Sequence, residues 1–102
     1  MDTKSKILDI AMNLNRIGNW AADGFDKKQA RIKTFLDQTS AYLKPLKETD
    51  FAEPFKSTFL SFTREYKKLE KLAKSGPKDE LAWAEKAMTW GNILTHRAKL
   101  LD

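Results

Sequence analysis

Four successive stretches of this chain place apolar residues three and four positions apart, and glycine or proline signals separate them. That spacing puts one apolar stripe on each of four α-helices, and each stripe has to be buried against another element. The first stretch, residues 2–22, carries Ile7, Ile10, Leu14, Ile17 and Ala21, and Asp23-Gly24 follows it. Gly24 is expected to take the left-handed conformation that ends a helix. The second, residues 27–44, carries Ile32, Phe35, Leu36, Thr39, Tyr42 and Leu43. Asp26 and Gln29 have capping-box spacing at its start, and Pro45 disfavours helix at Lys44.

The third stretch, residues 51–75, carries Phe55, Phe59, Phe62, Tyr66, Leu69 and Ala73. Two starts are available: Asp50 with Glu53 as a capping box, or Glu53 followed by Pro54 at the first helical position. Ser75-Gly76-Pro77 is a stop and restart signal. The fourth, residues 78–101, carries Trp83, Ala87, Trp90, Leu94, Ala98 and Leu101, with Ala84 and Gly91 beside them. Those small residues let a neighbouring helix approach between two indoles, and Gly18 offers the same on the first helix. Short connections make consecutive helices antiparallel neighbours. The expected fold is therefore all-α, an antiparallel up-down four-helix bundle forming a single domain over residues 1–102. A three-helix fold whose end helix docks on a partner is the alternative. Leu14, Phe59, Phe62 and Leu94 should be deep core.

Composition agrees. Valine and cysteine are absent, while Leu, Ala, Lys and Glu are abundant, and straight-chain residues and Ala favour helix over strand. Without cysteine there is no disulfide, thiolate nucleophile or thiolate metal site. No apolar run approaches the ~18 residues of a membrane span, and no secretory signal is visible. A cytoplasmic location is the expectation.

No catalytic, metal-binding or cofactor-binding set emerges. His96, the only histidine, has no carboxylate three or four positions away, so the Glu-x-x-His pair of di-iron bundles is missing. It should point to solvent. Histidine phosphotransfer domains place a Lys three and a Gly four positions after an exposed His. Lys99 meets the first condition and Leu100 fails the second. A bundle-type ribonuclease motif fails at Gly91, where an Arg would be needed. The acids are dispersed, several of them at helix starts, where they cap N–H groups. There is no Gly-rich phosphate loop. An enzyme is not expected, and no cofactor is implied.

Charge is more informative. Of 19 basic and 14 acidic residues, the segment from Lys56 to Lys78 holds seven bases and two acids, Glu65 and Glu70. That segment carries the whole +5 excess. Antiparallel threading should bring Lys27, Lys28 and Arg31 to the same end as Lys67, Lys68, Lys71, Lys74 and Lys78. That candidate surface would meet a polyanion or nucleic acid without sequence specificity, since Lys outnumbers Arg there. Off the stripes lie Leu8 and Met12 on the first helix, Leu60 on the third, Leu81 and Met88 on the fourth, and Trp20 near a helix end. The first helix brings little volume to a core, and a light wall can borrow apolar surface from another chain. Leu8, Met12, Leu81 and Met88, with Trp20, are the candidate apolar interface, and a homodimer through it is expected. The function expected first is a small helical interaction or regulatory module without catalysis, with another protein or a second copy as partner. A nucleic-acid-associated protein is second, and an enzyme or phosphotransfer protein third.

Overall fold

The computed structural model describes residues 2–101, which form four α-helices: α1 Thr3–Gly24, α2 Gln29–Leu43, α3 Phe55–Ser75 and α4 Glu80–Arg97. Short 3-10 turns cover Glu48–Asp50 and Ala98–Leu100. The envelope is 38 × 20 × 18 Å, and α3 alone is about 32 Å long, so the helices run the full long axis. Among the described residues there is no strand. Two starts are capped as helix physics requires. Asp2 accepts from Ser5 N at 2.7 Å, and Asp79 accepts from Ala82 N at 2.9 Å, each satisfying a backbone donor that has no partner within its helix.

Four local expectations need correction. Gly24 does not reverse the chain: Phe25 stays right-handed, and Gly76 at φ 86° is the one positive-φ glycine described. The α1–α2 turn instead runs through near-helical backbone, with Lys28 N donating to Gly24 O. Asp26 therefore caps nothing with its carboxylate, and α2 begins at Gln29 behind Lys28, which makes no side-chain cap. At the third start Asp50 accepts from Lys47 N and closes the preceding 3-10 turn. Pro54 precedes the first helical residue, and the Glu53 carboxylate accepts from Ser57 N. α4 stops at Arg97, three residues before its tail ends in a 3-10 turn.

Every neighbouring pair is antiparallel, and their separations differ. α1 and α4 nearly touch. A Cβ at Gly18 would sit 2.9 Å from Ala84 O and collide with Met88 Cγ, and one at Gly91 would sit 3.0 Å from Ala11 O. Together with Ala11, Ala84 and Ala87, all buried, these residues bring two backbones into contact. The light wall of α1 is thus filled by α4 itself. The other pairs are spaced by larger side chains and fixed by polar contacts. Between α1 and α2, buried Asn13 donates to Gln38 Oε1 at 3.0 Å and Thr39 Oγ1 at 3.3 Å. Between α3 and α4, Trp83 Nε1 donates to Leu69 O at 3.0 Å and Arg97 donates to Thr58 Oγ1 at 3.2 Å.

The core is formed by the expected residues, with Ile7, Ile10, Leu14, Ile17, Phe62 and Leu94 fully sealed. Two aromatics outside the stripes join it. Phe25, in the α1–α2 turn, meets Trp83 edge-on at 5.3 Å, and Phe51 packs 4.5 Å from Phe59. Each closes one end of the bundle.

Gly18→Ala removes about 1 kcal/mol of helix-propensity penalty, yet it should destabilise by roughly 1–3 kcal/mol because the added carbon meets backbone. Thermal unfolding followed by circular dichroism reads the sign, and a higher melting temperature would refute the backbone contact. Phe62→Ala and Leu94→Ala should each cost about 2–5 kcal/mol.

Candidate functional site

The expected basic surface is spread along the axis: Lys74 borders the same recess as Gln29 and Lys33 at the start of α2, whereas Lys67 lies further off. Tyr66 hydrogen-bonds Leu36 O and lies level with Ser40, so neighbouring Lys67 is about 15 Å along the axis from Lys27 and Lys28. Lys28 leans on Asp23 at 3.9 Å. Arg31 turns towards α1, its Cζ 5.9 Å from the Trp20 ring centroid. Lys68 and Lys86 share Glu65, at 3.0 and 3.1 Å, and these two cations hold the Glu65 carboxyl below its ordinary value. Lys67, Lys71, Lys74 and Lys78 remain exposed.

The apolar candidates also separate. Leu8 and Met88 are half-buried against the core, and Met88 fills the space over Gly18. Met12 is 50% exposed and Leu81 58% exposed, but they do not adjoin. Gly91 lies level with Ala11 and Asn15, which puts Leu81 about 15 Å from Met12 along α4.

What the fold does bring together is Met12 and Trp20 with residues of α2. Arg16 Cζ lies 5.9 Å from the Phe35 ring centroid, Phe35 meets Trp20 edge-on at 4.9 Å, and Trp20 in turn lies beneath Arg31. The order Arg16, Phe35, Trp20, Arg31 makes a ladder across the α1–α2 face. It exists because both helices place an arginine and an aromatic four residues apart, and antiparallel pairing alternates them. Beside it lies a groove of about 270 Å³ between Met12, Asn13, Gln38 and Tyr42. Among the described residues neither guanidinium is in an ion pair; each is held by an aromatic ring, a contact worth about 0.5–1 kcal/mol at an exposed site. The planar forks keep N–H donors for an incoming carboxylate. Sequence spacing marked Trp20 and Met12, and the basic-surface reading marked Arg31, but Arg16 went unmarked, and the ladder itself appears only when α1 is laid beside α2.

Two further sites are closed by their own partners. At one bundle end a recess of about 500 Å³ is edged by Asp2, Asp50 and Glu53, and all three carboxylates accept local N–H donors. Hydrogen bonding holds Asp2 and Glu53 below their ordinary values, through Ser5 and Ser57 respectively. Among the described residues no group of three or more His, Cys, Asp or Glu side chains could hold a metal ion. His96 is exposed in the last turn of α4. Between α2 and α3, Tyr66 donates to Leu36 O at 2.8 Å and contacts Ser40 Oγ at 2.9 Å, while Ser40 donates to Glu70 Oε2 at 2.7 Å. Burial pushes the Tyr66 phenol well above the usual tyrosine range.

No helix among the described residues is long and apolar enough to cross a membrane. Comparison with protein-family models, with curated proteins and with solved structures finds no match to this chain.

The Tyr66 shift has a definite sign. A phenol whose folded value is raised contributes stability that is complete below its ordinary value of 10.0 and is lost as pH climbs from there towards the folded value. Tyr66→Phe should therefore unfold with a flatter pH dependence above about pH 10 than the wild type, while near neutral pH it loses about 1 kcal/mol with the hydrogen bond. Urea unfolding across that range tests this, and parallel wild-type and variant curves would refute it.

Proposed function

We propose that this protein is a non-catalytic interaction module that binds another protein through the α1–α2 face. The observation that carries the reading is the Arg16–Phe35–Trp20–Arg31 ladder with Met12 and Tyr42 at its edge. Aromatic residues, methionine and arginine are the types enriched at protein interfaces, and tryptophan, tyrosine and arginine dominate their energetic centres. Two of the chain's four arginines stand on this one face. Arg guanidiniums over aromatic rings are already ordered, so little side-chain entropy remains to be lost on binding.

The partner that fits presents an apolar side chain to the Met12–Tyr42 groove and carboxylates to the two guanidiniums. A second copy of the chain is one such candidate, since Asp9 lines the same groove; a cytoplasmic setting is compatible with it. Catalysis is a weaker reading, because the carboxylates of the end recess are occupied by backbone donors.

Arg16→Glu with Arg31→Glu should abolish complex formation in the host while leaving the protein folded, at a cost of about 1–2 kcal/mol from the two lost ring contacts. Affinity capture with wild type and variant, followed by quantitative mass spectrometry, measures the loss. Light scattering at high micromolar concentration identifies self-association. Partners recovered equally by both proteins would remove the face from the interface.

A further inference from the structure

We infer that the outer side of α3 is a second binding surface, one that takes the phosphate backbone of double-helical DNA without reading its sequence. Arg64, Lys67, Lys71 and Lys74 are all exposed. At 3.6 residues per turn they fall within about 40° of one line along the helix, opposite the buried Phe59–Phe62–Tyr66–Leu69 side, and the line is about 15 Å long.

The row is free of acid for a structural reason. The segment holds two acids, Glu65 and Glu70, and the fold draws both away sideways. Glu65 is taken by Lys68 and by Lys86 of α4. Glu70, three positions after Lys67 and four before Lys74, turns to accept from Ser40 of α2 at 2.7 Å. What remains are like charges three and four positions apart, which repel one another and disfavour the helix. The helix dipole does not account for them. It favours cations only within the last turn, and of this row only Lys74 lies there. Nor is the row an average solvated surface, because outside the Lys56–Lys78 segment bases and acids are equal in number.

The geometry selects the polyanion. A straight file of cations on a rigid helix suits a ligand that is itself a regular file of charge, and duplex DNA carries one phosphate per about 1.7 Å of axis. Three of the four cations are lysines, which bind phosphate as point charges rather than as geometric forks. No aromatic residue stands on the row, so there is no platform on which unpaired bases would stack. The row shares no residue with the α1–α2 ladder, so this inference and the proposed protein contact stand or fall separately.

The experiment is fluorescence anisotropy of a labelled short DNA duplex of mixed sequence, titrated with the full chain over a series of salt concentrations. Four phosphate contacts predict a slope of log K against log salt of roughly −3.6. Replacing Lys67, Lys71 and Lys74 together by Gln should reduce it to about −0.9 and weaken low-salt binding roughly tenfold or more. Circular dichroism should show that variant folded with an unchanged melting temperature, and the corresponding triple change to Arg should restore the wild-type slope. Three results would each overturn the inference: no duplex binding at low salt, a slope that the Gln variant leaves unchanged, or equal affinity for poly-glutamate or for anionic lipid vesicles.

Discussion

The contact between the backbones of α1 and α4 sets the terms for the rest of the bundle. Gly18 sits where any Cβ would enter Ala84 O and Met88, and Gly91 sits against Ala11 and Asn15. Close approach excludes water without needing large side chains, and densely packed atoms gain dispersion energy that a gap would forfeit. It also explains how α1, with only isoleucines, one leucine, one asparagine and small residues on its buried side, can be the best-sealed helix of the four. The bulk comes from the diagonal partner α3, whose four buried rings Phe55, Phe59, Phe62 and Tyr66 fill the centre.

With one seam this tight, the remaining three are spaced by side chains, and each carries a polar contact that specifies register. Asn13 and Thr39 meet between α1 and α2, Tyr66 and Ser40 between α2 and α3, and Trp83 and Leu69 O between α3 and α4. A one-turn slip would leave buried donors without acceptors, at about 1–3 kcal/mol each. Among the described residues no buried side-chain polar atom lacks a partner. The same α1–α2 alignment that joins Asn13 to Thr39 also interleaves Arg16 and Arg31 with Phe35 and Trp20.

Both surfaces arise from the same packing. On the α1–α2 face, arginines lack acidic partners among the described residues and lie on rings. On the outer side of α3, lysines stand in a row because interhelical contacts have drawn off both neighbouring acids. The proposed protein contact uses the first and the proposed polyanion contact the second, and the two share no residue.

Helix number, stripe composition and deep core were legible in the amino-acid order alone. Periodicity of three and four, acids at helix starts, and the Gly76-Pro77 stop are local properties of consecutive residues, and so are the helix-favouring composition and the cationic excess of residues 56–78. Legible too were the small residues Gly18, Ala84 and Gly91 as points of close approach. Tertiary structure decided everything that depends on which residues of different helices become neighbours. Gly24 and Asp26 carry local turn and cap signals, yet the burial of Phe25 against Trp83 holds the α1–α2 turn in near-helical backbone instead. Leu81 and Met12 share an apolar character but not a place, because antiparallel alignment sets them at different heights. The ladder, and the turning of Glu65 and Glu70 away from the basic row, were invisible for the same physical reason. A side chain's charge and shape are written in sequence, whereas the partner that neutralises, stacks on or covers it is chosen by packing across the bundle.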